Sequence, residues 1–259
     1  FELEIKKNFL SRRAILLYLI AASPLVLLSL FGFFQMESDD AGGFNGLAEA
    51  FAAIYGGLIL RTLVFFGCAW VFMNLFRGEV IDRSLHYYFL SPVRREVLVL
   101  GKYLSGLVST IALFSITTVG SMLILYFSIY PEESARFFFE GAGMSQMLTY
   151  LGVTILACIG YGAVFLVVGL RFRNPIIPGL ILYGWEWINF LLPPILKKLS
   201  VIHYLHSLVP VPVSEGPFAV LVEPTPAWIS VPSLFIFTGI VLFVASRHIR
   251  RMEISYASD

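Results

Sequence analysis

Apolar positions in this chain fall in long uninterrupted blocks, with neither the strict alternation of a half-buried strand nor the single stripe of a surface helix. Six blocks are long enough and poor enough in charge to cross a hydrocarbon core of about 30 Å, which takes roughly 20 helical residues. They lie at approximately 14–34, 51–76, 103–130, 147–170, 175–196 and 228–246. Continuous runs of this length predict helices, since barrel strands would alternate over about ten residues. Pro24, Pro178, Pro193, Pro194 and Pro232 should kink or end their helices, with bundle neighbours re-satisfying the freed carbonyls. The 14–34 block is too long for the apolar part of a secretory signal, about 7–15 residues, and reads as a retained anchor helix, with the native N-terminus expected before Phe1.

The connections between blocks are unequal. Segments 35–50 and 131–146 are acidic with Gly-rich portions, and 197–227 is long, carries five prolines and mixes apolar with turn residues, as if lying in or dipping into the membrane. On the other side only 77–102 forms a substantial loop.

Composition agrees: only 14% of residues are charged, against about 25% in a soluble domain. The net charge of +1 gives no basic excess with which to neutralise phosphates, so no nucleic-acid partner is expected. Near-neutrality hides an asymmetry. One set of connections holds 14 basic and 7 acidic residues, the other 3 and 9. The positive-inside rule places the first set, and both termini, in the cytosol, which six crossings satisfy. Cys68 and Cys158 fall inside apolar blocks and read as small core residues.

In the cytosolic loop, Glu79, Asp82, Arg83 and His86 recur at helical spacing, giving an amphipathic helix that Ser91-Pro92 stops. Ser91 and Pro92 then suit the cap and first position of a helix running from Arg94 through Gly101-Lys102 into the membrane. These residues resemble ATP-binding-cassette exporter permeases of the ABC-2 type. That family has an acidic pair after the second span, a short Thr-Leu stretch, Ser-Pro-Val, an Arg, and a Gly-Lys opening the third span. Here Glu79 and Asp82, Ser84-Leu85, Ser91-Pro92-Val93, Arg95 and Gly101-Lys102 stand at matching spacing. Arg83 stands where a Gly is common in the family and His86 where a Glu is common.

The resemblance implies an all-α integral membrane protein with six transmembrane helices and cytosolic termini, in a cell (inner or cytoplasmic) membrane. It implies a permease that pairs with a second copy or a related permease and sits on two ATPase subunits, which would hold ATP and Mg; no cofactor is expected in this chain. The 77–102 loop would dock on the ATPase, with Glu79, Asp82, Pro92, Arg95 and Lys102 carrying the coupling. An amphipathic segment at 1–12 would correspond to an elbow helix on the inner surface. The lesser alternative for 77–91 is an interfacial helix lying on the lipid headgroups.

No G-x-x-x-x-G-K-[ST] phosphate loop, H-E-x-x-H or G-x-S-x-G motif occurs, so ATP-driven action requires a partner chain and no nucleophile is nominated. Two charges fall inside blocks, and intramembrane charges are functional candidates because they are costly. Arg61 lies in the second block and Glu186 in the fifth, within Trp185-Glu186-Trp187. Either they pair in the bundle and shape the translocation path, or Arg61 snorkels and Glu186 reaches the outer interface beside its tryptophans. His203 and His206, spaced H-x-x-H, are a weak metal pattern and read as interfacial, so no metal is expected. The aromatic residues fit lipid packing and interface belts. The expectation is therefore an exporter permease; the alternative is a non-transporting anchor or mechanotransmission subunit acting on an extracytoplasmic partner through 197–227.

Overall fold

The structure, a computed structural model, describes residues 14–35, 43–81, 95–172, 174–212 and 224–250. Among these every regular element is helical. Helix α1 is Ala14–Gln35; α2 (Gly43–Ile54), a π-helical stretch (Tyr55–Val64) and α3 (Phe65–Ile81) run on as one rod. Then come α4 (Arg95–Ile129), α5 (Pro131–Glu140), α6 (Gly143–Arg171) and α7 (Ile176–Ile188). A 3₁₀ turn (Asn189–Leu191), α8 (Pro194–Lys197), α9 (Val201–His206) and α10 (Ala227–Arg250) complete the order.

Five helical runs are long and apolar enough to cross a membrane: Ala14–Phe33, Gly46–Phe76, Arg95–Ile129, Gly143–Arg171 and Ala227–Arg250. They match five of the six expected blocks. Helices α1 and α10 continue through Pro24 and Pro232, so neither proline ends its helix. The block at 175–196 behaves differently. Its 13-residue helix α7 rises only about 20 Å, short of the roughly 30 Å core, and the chain leaves helical geometry at Leu192. Pro193 and Pro194 cannot supply the N–H groups that continuation would need.

Side-chain contacts fix the helix directions. Thr117 Oγ1 donates to the Ala21 carbonyl at 3.0 Å, and Gly32 lies against Ser128 further along both helices, so α1 and α4 are parallel. Phe65 packs on Tyr161 and Phe165, while Phe72 lies on Gly162 and Met73 on Gly169, so α3 and α6 are parallel. Tyr103 reaches Ile159 and Thr118 reaches Thr154, so α4 opposes α6. The start of α4 meets the end of α10, because Arg95 Nη1 donates to the carbonyls of Ile249 and Arg250. The ends of α3, α6 and α10 and the start of α4 thus share one end of the bundle, with Arg95, Lys102, Arg171, Arg247 and Arg250. At the opposite, acidic end α5 carries Glu132, Glu133 and Glu140. Since α10, like α6, arrives at the basic end, its start at Ala227 lies towards the acidic end.

Over an 18-residue apolar stretch of each, 67% and 61% of positions are buried in the Gly46–Phe76 and Gly143–Arg171 runs, against 28% in Ala14–Phe33 and 22% in Ala227–Arg250. The second rod and α6 are therefore the central pair, and α1 and α10 are flanking helices. At the acidic end, residues 131–140 of the expected 131–146 loop are ordered as α5: Pro131 opens the helix, Glu132 and Glu133 fill its first turn, where carboxylates complement the helix dipole. Phe137 stacks on Tyr126, and Phe44 meets both edge-on.

A methyl group on Gly169 would stand 2.8 Å from the Met73 Cα and 2.9 Å from its carbonyl oxygen, both backbone atoms. Gly169→Ala should push the central pair apart and cost about 1–3 kcal/mol, read as a lower Tm in detergent. Gly239→Ala adds a methyl with nothing within 4 Å and should leave Tm unchanged or raised.

Candidate functional site

The second rod changes its hydrogen bonding at mid-length. Over Tyr55–Val64 the backbone is π-helical, a widened form that is rare and frequently found at functional sites. Gly56-Gly57 opens the stretch, and Thr62 Oγ1 bonds back to the Gly57 carbonyl at 3.1 Å. Arg61 lies in this stretch, at the midpoint of the Gly46–Phe76 run. Its guanidinium carbon is 5.7 Å from the Trp187 ring centroid, within cation–π range. Thr62 Oγ1 and Tyr183 Oη are 3.5 Å apart, and the Tyr183 ring lies against Phe65 and Phe66. The π-helical stretch and the far end of α7 therefore share an aromatic, polar contact, half-buried at mid-length of the rod.

Glu186 is only 7% exposed. Its Oε2 accepts from Ser200 Oγ at 2.7 Å, the Ile202 N–H at 3.0 Å and the Tyr161 hydroxyl at 3.3 Å, while Oε1 accepts from the Val201 N–H at 3.2 Å. The two amides can only donate and the two hydroxyls can donate as well, so both carboxyl oxygens are engaged as acceptors. The carboxylate thus caps the first turn of α9 and fastens it to the end of α7, closing 187–199 into a loop. Helix α9 then buries Val201, Ile202 and Leu205, with Val201 against Gly160 of α6 and His206 beside Gly56 of the π-helical stretch. Asn189 Nδ2 donates to the Lys197 carbonyl at 3.3 Å and closes the loop a second time.

Arg61 lies on Trp187, while Glu186 is bound by Tyr161, Ser200 and the first amides of α9, and these contacts make up the candidate site. Its remaining members, Tyr161, Tyr183 and Ser200, carry no motif. The available signals were the Gly56-Gly57 pair and a Ser just before Val-Ile, an ordinary helix-cap pattern. His203 is buried, and its Nε2 lies 3.2 Å from Thr225 Oγ1. Among the described residues no group of three or more His, Cys, Asp or Glu is placed to hold a metal.

At the basic end, Lys102 is 2% exposed. Its Nζ donates to the Leu75 carbonyl at 3.1 Å and lies 5.3 Å from the centroid of the Phe76 ring. It ties the first turns of α4 to the last turns of α3. Arg95 caps the carbonyl end of α10, where a cation also suits the helix dipole, and Glu96 forms an ion pair with Arg250. Glu79 belongs to the last turn of α3; Asp82 and Pro92, like the 1–12 segment, lie outside the described residues. Between α1, α3 and the start of α7 runs an apolar groove of about 390 Å³, lined by Leu16, Phe65, Phe66, Trp70, Met73 and Leu180 among others, with Asn74 and Asn174 as its polar residues.

Removing the carboxylate would leave the Val201 and Ile202 amides buried without an acceptor, at about 1–3 kcal/mol each. Glu186→Ala should therefore lower the Tm of the detergent-solubilised chain most, Glu186→Gln less, and Ser200→Ala by the loss of one hydrogen bond, about 0.5–1.5 kcal/mol. Equal Tm values for Glu186→Ala and the parent chain would remove the capping role. No protein-family model, curated protein or solved structure matches the chain.

Proposed function

We propose that the chain is the membrane-spanning permease subunit of an ATP-binding-cassette exporter of the ABC-2 type, moving a substrate across or out of the membrane with ATP hydrolysed by partner subunits. It crosses six times with both ends cytosolic, and the proline-broken block at 175–196 belongs to the fifth crossing. Two partner ATPases hold the ATP and Mg, and a second copy or a related permease completes the assembly. The single observation that carries this reading is the bracing of both arms of the 77–102 loop. Lys102 binds the α3 arm to the α4 arm, and Arg95 and Glu96 bind the α4 arm to the end of α10. Force applied to the loop is thereby delivered to three spans at once, and the α3 arm leads straight to Arg61. A floppy connection could not transmit it.

In this reading Glu79, Asp82 and Pro92 meet the ATPase, while Arg95 and Lys102 hold the arms that carry the motion. The apolar groove beside α1 and α7 provides a face for the second permease and for an amphipathic cargo. A second reading, a force-transmitting subunit acting on an extracytoplasmic partner, has its own support. Thr225 is hydrogen-bonded to Ser207 and His203, so a pull on the outer segment reaches α9 and through it Glu186.

Purification from native membranes should bring down an ATPase subunit whose hydrolysis this chain stimulates. Charge reversal at Glu79 and Asp82 together should drop that stimulation to the level of the ATPase alone without lowering the permease's Tm. Full stimulation by the doubly reversed chain would count against the coupling assignment. Export with an intact ATPase would select the first reading, and stimulated hydrolysis without export the second.

A further inference from the structure

The groove between α1, α3 and the start of α7 holds about 390 Å³, within the range of sites that take small molecules, roughly 300–1,000 Å³. Its two asparagines sit at one end. Asn74 lies two residues before Phe76, the last residue of the second apolar run, and Asn174 lies just past the end of α6, so both belong to the basic end. Asn74 Nδ2 donates to the Trp70 carbonyl at 2.7 Å, and Asn174 Oδ1 accepts from the Ile176 N–H at 3.3 Å. From Asn74 the wall formed by α3 runs inward to Phe65, nine residues away. That is about 14 Å of helix rise, close to half of the roughly 30 Å hydrocarbon core. The groove therefore has the length of one leaflet, from headgroup level to the bilayer centre. Gly179 lets α7 close on α3 along it, since a methyl group there would stand 2.8 Å from Met73 Cε.

The chemistry of the walls selects the occupant. A peptide segment would bring amides and carbonyls against Leu16, Ile20, Phe65, Phe66 and Leu180, whose side chains offer them no partners. An alkyl chain has no polar groups to satisfy. At the asparagine end the neighbouring charge is positive. Exposed Arg171 ends α6 three residues before Asn174, and the connections on this side hold 14 basic against 7 acidic residues. Such a surface attracts anionic headgroups. Building on the groove's place in the exporter reading as a face for an amphipathic molecule, we propose that it binds one acyl chain of an anionic phospholipid. The lipid comes from the leaflet at the basic end and sets its headgroup beside Asn74, Asn174 and Arg171. Its chain packs on α1, α3 and α7 together, fastening the flanking first span and the short α7 to the central rod.

The test uses the full chain in detergent, freed of lipid, titrated with phosphatidylglycerol or phosphatidylcholine of identical chains and read by native mass spectrometry. One phosphatidylglycerol should be retained per chain, about tenfold more tightly than phosphatidylcholine. Phosphatidylglycerol with a diazirine at the chain end should label the peptide holding Phe65 and Phe66. Ala69→Phe and Leu180→Trp add bulk from opposite walls and should each weaken retention about tenfold and remove that label. Leu180 is exposed, so its variant should keep the parent Tm in lipid-free detergent. Gly239→Phe on α10, where a side chain meets open space, should change neither retention nor labelling. Equal retention of the two lipids would overturn the headgroup assignment. Undiminished retention by both filled variants, or labelling elsewhere, would overturn the groove as the lipid's seat. A lipid-free dimer that Leu180→Trp splits would give the groove to a second copy instead. Retention is read without ATPase, so failure of the lipid site shows as no phosphatidylglycerol held, and failure of the exporter reading as no stimulated hydrolysis.

Discussion

A carboxylate at mid-depth in an apolar bundle has to be surrounded by donors, and here that demand organises the architecture. The fifth apolar block breaks before it has crossed, and a break in hydrocarbon exposes amides that water cannot serve. Glu186 answers both problems at once: the stranded amides of Val201 and Ile202 become the donors its charge requires. From this exchange follow the placement of α9 against Gly160, the seating of His206 beside Gly56, and the tie from Thr225 back to His203 and Ser207. Helices α6, α7 and α10 and the π-helical stretch are held in register by one side chain and its neighbours.

Elsewhere the interior is stitched by hydroxyl groups. Tyr55 bonds Thr154 and the Tyr150 carbonyl, Thr154 bonds Thr118, and Thr117 reaches across to α1. In a membrane, burial of apolar surface does not by itself draw helices together, and such bonds with close small-residue contacts carry the association. The basic end uses charge for the same purpose. Lys102 and Arg95 spend their hydrogen bonds on backbone carbonyls, so their positive charges serve as helix fasteners as well as contributing to surface potential.

Five crossings were legible because a block of twenty apolar residues admits few other solutions, and α1, α4, α6, α10 and the second rod lie where the blocks lie. The fifth block was legible as apolar and as proline-broken, but the return of Ser200 to Glu186 depends on a contact that no periodicity encodes. Lys102 illustrates the same limit. The resemblance gave it a part in coupling to an ATPase, whereas its burial against Leu75 and Phe76 is set by the crossing of two helices. Cys68 and Cys158 were readable as core residues, and both are fully buried. Glu186 was singled out by charge alone, and its hydrogen-bond partners came from folding.

The π-helical stretch has a mechanical consequence. Its i→i+5 bonds place more residues in each turn than i→i+4 bonds do, so it stores surplus winding in the centre of a rod fixed at its ends. Rewinding Tyr55–Val64 to the tighter pitch would lengthen the rod and turn α3 about its own axis. Lengthening of the rod and rotation of α3 would then be one screw motion.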